Sequence, residues 1–340
     1  MTSDISFNPQ GAATLQSDNY PPRSLSFVRN RMLPIIAVLL ALLLQTQIPK
    51  APAQPKTLHP YFTYFLLLAL ALCVVQLTLS FFREKTRRKL AYKGLFVAGV
   101  FLFLSLLNIL TSKLALLPPL YFPSLDRIVA AIVEDRALLV KCVLYSLRLQ
   151  LVGYFCGLLA GLITGTLIGF SKSASYWISP LVRVLGPIPS TTWIPLTLIA
   201  FPSALSASFF LVALAVWFPT TIMTSSGISN VPQTYFEAGS TLGARRFSHI
   251  FRIGLPASMP HIFLGIFNGT CASFITLVTA EMVGARYGIG WYVIWQKDMM
   301  SYSNVYGGLI ITATLFSILI SLLFKLRDKA LLWQKDVVKW

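Results

Sequence analysis

The residues of this 340-residue chain whose types could do chemistry do not assemble into a catalytic set. The three histidines, His59, His249 and His261, lack partners at ligand spacing, and no H-E-x-x-H run occurs, so no metal site is read. No G-x-x-x-x-G-K-[ST] loop is present to cradle a nucleotide phosphate, and no Ser/His/Asp set can be argued. Cys73, Cys142, Cys156 and Cys271 all lie in apolar runs without paired spacing, which implies neither disulfide nor metal. No cofactor is expected. What stands out is Glu237–Pro256, EAGSTLGARRFSHIFRIGLP. Arg245, Arg246, His249 and Arg252 keep it out of lipid, yet apolar runs flank it on both sides. A carboxylate and several cations on one compact turn suit contact with another surface.

The elements that must position this stretch follow from the pattern. Glu237 and Ala238 end a helix-compatible run, and Gly243 breaks it. Phe247, Ile250, Phe251 and Gly254 recur at i, i+3, i+4 and i+7, predicting a second short helix with one apolar face and a basic opposite face. Pro256 is expected to end that helix, with Pro260 following. Val231 precedes Pro232, which leaves Asn230 as the expected cap of the first helix.

Composition sets the wider class. The chain is 56% hydrophobic and 11% charged, with mean hydropathy +0.71, against about 25% charged residues in a soluble domain. The expectation is an all-α polytopic membrane protein of about eight spans. Net charge +17 would suit nucleic acid, but the cations cluster between apolar runs, as the positive-inside rule requires. With both ends inside, 19 Lys and Arg fall in inner segments and 8 in outer ones. Residues 1–31 read as a disordered inner tail, with no signal peptide of the usual kind. The run Met32–Leu44 is short for the ~20 residues a span needs and reaches Ile48 only by including Gln45, Thr46 and Gln47, leaving a span or an interfacial or re-entrant helix open. Tyr61–Phe82 crosses, residues 83–93 form the most basic loop, and Gly94–Leu110 crosses next. In the outer segment after it, Ser124 can cap an amphipathic helix lying along the membrane surface.

Gly153, Gly157, Gly161, Gly165 and Gly169 recur every fourth residue in the run Val143–Phe170, a stripe where another helix can approach closely. Arg148 lies near the outer end of that run, as a structural or a substrate-contacting residue. Pro187, Pro189, Pro195 and Pro202 break the following would-be span. Broken helices at membrane depth are tolerated only against protein or water, so this stretch is the candidate lining of a translocation path. Ser190, Thr191, Thr192 and Trp193 offer hydroxyls and an aromatic ring there, unless the hydroxyls bond back to their own helix. Spans at Leu205–Met223, Ile262–Met282 and Val305–Phe324 complete the chain. Glu281, at the rim of one of them, is a path contact or a structural hydrogen-bond acceptor. Trp291, Tyr292 and Trp295 suit an interfacial aromatic belt.

Glu237, Ala238, Gly243, Ile253, Leu255 and Pro256 fit without a gap the spacing of the EAA loop of ABC importer permeases, which the chain resembles. Gly239 stands where that loop has its second Ala, a change worth ~1 kcal/mol to a helix. The YFPS step, the broken GPIPSTTWIPL stretch and the AEMVGA step resemble the nitrate, sulfonate, taurine and bicarbonate permeases in particular. The resemblance covers roughly residues 94–325 and implies a type I ABC importer permease domain there, with coupling loop 230–256. Two extra N-terminal helices (32–93) precede it and a cytoplasmic tail (326–340) follows. It further implies a bacterial plasma-membrane location, a separate ABC ATPase subunit, an extracytoplasmic substrate-binding protein and a second permease subunit, read as a homodimer. A stand-alone channel or ion-coupled transporter, and a membrane-embedded enzyme, are the rival classes. The first two would leave the polar stretch without a purpose, and the third lacks a catalytic set.

Overall fold

In lipid each backbone polar group must find its partner inside its own segment, which drives apolar runs into helices. The computed structural model describes residues 25–49, 59–82, 84–114 and 116–332, and every regular element among them is helical. Among the described residues seven helices are long and apolar enough to cross a membrane. The chain divides into two units, residues 1–130 and 131–340.

The first unit holds α1 (Leu25–Gln47), α2 (Tyr61–Phe82) and α3 (Glu84–Asn108), the last running into a π-helical turn, Ile109–Lys113. A Cβ on Gly94 would strike the Asn30 carbonyl. Asn108 Nδ2 donates to Gln45 Oε1 at 2.6 Å. These two contacts put α1 and α3 parallel, so α2 must return the chain between them. Val38, Ala41, Phe62 and Leu66 form the apolar core of this unit. Lys113 Nζ donates to the carbonyls of Gln45 (2.8 Å) and Ile48, placing a cation on the C-terminal end of α1. The first apolar run is therefore part of a helix that is long and apolar enough to cross a membrane. Two expected boundaries also move. Helix α1 starts at Leu25 within the expected tail, and residues 84–93, expected as a loop, are the first turns of α3. Lys, Arg and Glu are good helix formers, so the basic run extends the helix beyond its apolar part. Residues 1–24, most of the Pro-rich link (50–58) and residues 333–340 lie outside the described residues.

Helix α4 (Leu125–Glu134) carries the chain towards the second unit; its first backbone bonds go to the Ser124 carbonyl, from Arg127 and Ile128. The second unit is built on α5 (Arg136–Phe170), α8 (Ala204–Ser229), α11 (Leu255–Gly284) and α13 (Tyr302–Ala330). The glycine stripe of α5 faces α8. A Cβ on Gly153 would meet Val212 at 2.8 Å, one on Gly161 Thr220 at 2.7 Å, and one on Gly169 Ile228 at 2.8 Å. Gly157 and Gly165 face the Ala213 and Thr221 carbonyls in the same way. The numbers rise together, so α5 and α8 are parallel over a rise of ~24 Å. The chain between them must climb back through the same depth. It does so in pieces: α6 (Lys172–Leu185), a 3₁₀ turn (Ser190–Trp193) and α7 (Ile194–Ala200). Helix α7 is only ~10 Å long, so this stretch is interrupted where its prolines lead one to expect, and it is not among the helices long enough to cross. Helix α11 packs antiparallel on α8, with Gly265 against Met223 and Gly269 against Val216. The last long helix reaches Ala330, so the first residues of the expected tail are helical.

Candidate functional site

The polar stretch begins with α9 (Gln233–Thr241), which carries Glu237, Ala238 and Gly239. Pro232 stands at its N-terminus with no side-chain cap. Asn230 instead ends α8, its Nδ2 donating to Ser226 Oγ at 3.4 Å, so the expected cap is not made. Helix α9 closes with Leu242 N–H on the Ala238 carbonyl and Gly243 N–H on the Ser240 carbonyl. Gly243 has φ +78°, the left-handed conformation that glycine adopts without a Cβ penalty. The chain reverses there.

The return arm is α10 (Arg246–Ser248), then a π-helical segment, His249–Gly254, then α11 without interruption. Pro256 thus begins a membrane helix instead of ending a short one, and Pro260 lies inside it. In the first turn of a helix a missing N–H removes no bond, and the π segment hands over with Leu255 N–H on the Ile250 carbonyl. The wider π turn also breaks the expected 3.6-residue stripe. Gly254 is buried and Ile250 half-buried, while Phe247 and Phe251 are exposed.

The two arms are joined by side chains. A Cβ on Gly239 would overlap the Ile253 δ-methyl, so Ile253 occupies the space that the missing alanine methyl would take. His249 lies against the Phe236 ring at 5.8 Å and has Nε2 3.4 Å from Ser240 Oγ. Phe170, the last residue of α5, packs edge-on to Phe236 at 6.0 Å, and its ring fills the space beside Gly254. The elbow is therefore fixed to α5 by an aromatic joint and to α11 by continuous helix. Ala238, Gly239, Ile253 and Pro256 line an open cleft of about 420 Å³. Leu242 projects from it, 88% exposed. Glu237 is exposed, and among the described residues its carboxylate accepts no hydrogen bond and pairs with no cation.

The broken return segment is organised differently. Ser190 Oγ lies 2.5 Å from Thr276 Oγ1 of α11, so this hydroxyl bonds across to a neighbour and not back to its own helix. Trp193 packs on Ile194, Leu211 and Ala280. Pro187, Pro189, Thr192 and Pro195 are exposed, Thr191 is half-buried, and neither threonine hydroxyl makes a hydrogen bond among the described residues.

Glu281 is fully enclosed. Ser146 Oγ donates to its Oε1 at 2.6 Å and Gly290 N–H to its Oε2 at 2.8 Å, while Ile289 N–H donates to Ser146 Oγ at 2.9 Å. The carboxylate thus seats the positive N-terminus of α12 (Ile289–Asp298) against α5. Gly288 (φ +132°) and Gly290 leave room for it, since a Cβ on either would press on Glu281. A second carboxylate holds the same helix farther along. Asp135 Oδ2 accepts from Tyr292 Oη at 2.7 Å, Asn304 Nδ2 at 2.8 Å and Gln296 Nε2 at 3.3 Å. Burial, then the Asp135 contact, pushes the Tyr292 phenol far above its ordinary pKa, so it stays a donor. Tyr292 is a core residue and not part of an aromatic belt; Trp291 and Trp295 stack beside it at 5.2 Å. The Asp135 anchor was not foreseen, because nothing in the spacing of Asp135, Tyr292 and Asn304 signals that they meet.

A profile of the family described as "Binding-protein-dependent transport system inner membrane component" matches residues 157–331. The chain is 32% identical over 178 residues to the nitrate import permease protein NrtB of Leptolyngbya laminosa, covering 52% of this chain and 62% of that one. It is 30% identical over 185 residues to the putative aliphatic sulfonates transport permease protein SsuC of Bacillus subtilis, covering 54% and 67%. It is 27% identical over 195 residues to the taurine transport system permease protein TauC of Escherichia coli, covering 57% and 68%. In fold it is similar to a solved structure of the MetNI methionine ABC transporter in an inward-facing conformation, with TM-score 0.50 and 19% identity, covering 58% of this chain and 98% of that one.

Proposed function

The chain belongs to the family of binding-protein-dependent transport inner-membrane components, and from that premise we propose that it is the membrane-spanning permease subunit of an ATP-binding cassette importer. Its cargo is a small anionic solute of the nitrate, sulfonate, taurine or bicarbonate kind, the solutes named for its relatives. Hydrolysis belongs to a separate ATPase subunit, because this sequence has no phosphate loop. An extracytoplasmic protein delivers the solute, a second copy of the chain completes the path, and both termini lie inside a bacterial plasma membrane.

The observation that carries this reading is the elbow at Gln233–Gly254. It combines an exposed carboxylate with no partner among the described residues, an open apolar cleft and two attachments to the bundle. Coupling between distant sites needs a contiguous body with two arrangements. A motor gripping this elbow would move α5 through Phe170 and α11 through the π segment. The Pro187–Pro195 stretch and the Ser190–Thr276 contact then border the path. Glu281 serves the path indirectly, by fixing α12.

The test is ATP-driven uptake by proteoliposomes holding the full-length chain and its ATPase. Glu237→Lys is expected to insert and melt like the parent chain but to lose uptake linked to hydrolysis. Uptake that persists with no nucleotide hydrolase present would overturn the reading in favour of a channel or ion-coupled carrier.

A further inference from the structure

We infer that the outward face of α5 is a binding site for the phosphate of an anionic phospholipid, made by Lys141 and Arg148 with the aromatic residues beside them. The two cations lie at i and i+7 with Tyr145 between them, so all three share one helix face. Both cations are exposed. Lys141 Nζ sits 3.9 Å from the centroid of the Tyr287 ring, and Tyr145 lies 6.3 Å from the same ring. The Tyr287 ring continues through Trp291 (5.8 Å) to Trp295 (5.2 Å). Arg148 pairs with no carboxylate among the described residues. Asp135 and Glu281, acids of the same unit, already accept other bonds.

Depth decides which anion this face meets. Arg148 is 22 residues from Phe170, the joint to the elbow. That is ~33 Å along the helix, close to the ~30 Å of a hydrocarbon core. With the elbow at one surface, Arg148 therefore lies at the other headgroup plane, where tyrosine and tryptophan also concentrate. Towards the elbow the same helix exposes Leu151, Phe155, Leu159, Ile163 and Leu167, an unbroken apolar strip fit for an acyl chain. A soluble oxyanion would have no use for that strip, whereas a phospholipid matches both parts.

The proposal needs only that α5 crosses a bilayer with the elbow at one surface, so it can fail or hold independently of the import reading. Native mass spectrometry of the detergent-purified full-length chain, titrated with phosphatidylglycerol or phosphatidylcholine, tests it. Each charge near the surface contributes about fivefold to binding. The double variant Lys141→Gln/Arg148→Gln is expected to lose about 25-fold in phosphatidylglycerol affinity, with phosphatidylcholine binding unchanged. Lys141→Arg/Arg148→Lys, which keeps both charges, is expected to bind like the parent and controls for folding. Equal phosphatidylglycerol binding by the Gln variant overturns the proposal. So does displacement of the lipid by millimolar nitrate or inorganic phosphate, which would mark a solute site. A change in oligomeric state would mark a contact between copies and overturn it equally.

Discussion

Glu237 stands exposed on α9, its carboxylate unengaged among the described residues, whereas Glu281, on the next long helix, is wholly enclosed with both oxygens occupied. The contrast separates two uses of one side chain. A buried carboxylate is tolerated only when hydrogen bonds replace its water, and Glu281 obtains them from Ser146 and the first turn of α12. It is committed internally and has nothing left for a ligand. Glu237 is exposed, and among the described residues no donor or cation engages its carboxylate. The elbow and the α12 junction therefore differ in kind. One is a surface held rigid from behind, and the other is a fastening.

Removing the buried carboxylate should cost more than any change at the elbow. Glu281→Ala strands the Gly290 N–H and Ser146 Oγ in a buried site and is expected to cost about 3 kcal/mol, read as a lowered melting temperature in detergent. Glu281→Gln, which keeps one accepting oxygen, should cost clearly less. An undisturbed melt for the alanine variant would mean that α12 does not depend on this carboxylate. Next comes Gly254→Ala, whose methyl collides with the Phe170 ring. Overpacking there is expected to cost about 2 kcal/mol, and Phe170→Leu should relieve part of it, measurable as coupling in a double-mutant cycle.

Gly243→Ala meets no neighbour, so its penalty is purely the left-handed backbone, about 1 kcal/mol. Gly239→Ala should be close to neutral. Helix propensity gains ~1 kcal/mol, while the Ile253 δ-methyl must move aside. Ile253→Val in the same background should turn the change into a net gain. A large loss from Gly239→Ala would show that the two arms of the elbow are packed more rigidly than a terminal methyl contact allows.

Much of this was readable in the chain itself. Apolar length located the spans, four-residue spacing located the glycine stripe, and Gly243 located the reversal between the arms. These are local properties, set by backbone sterics and by the requirement that a span satisfy its own hydrogen bonds. Less legible were the ends of helices. Lys and Arg favour helix almost as well as apolar residues do, so α1 and α3 extend into basic sequence. Pro256 read as a stop because its position in a turn depends on which helix it starts, and the π segment that joins the arms has no signature in residue type.

From the sequence by its own pattern come a multi-pass helical membrane chain and the residues that stand at the elbow. Only the tertiary structure decided that α5 and α8 run parallel, that the segment between them returns in pieces, and that Phe170 fastens the elbow to α5. It alone decided that Glu281 closes on α12 while Glu237 stays open. The reason is physical: hydropathy and period act through each residue's own neighbours in the chain, but the use of a polar group is set by which distant donors reach it, and those arrive only when helices pack.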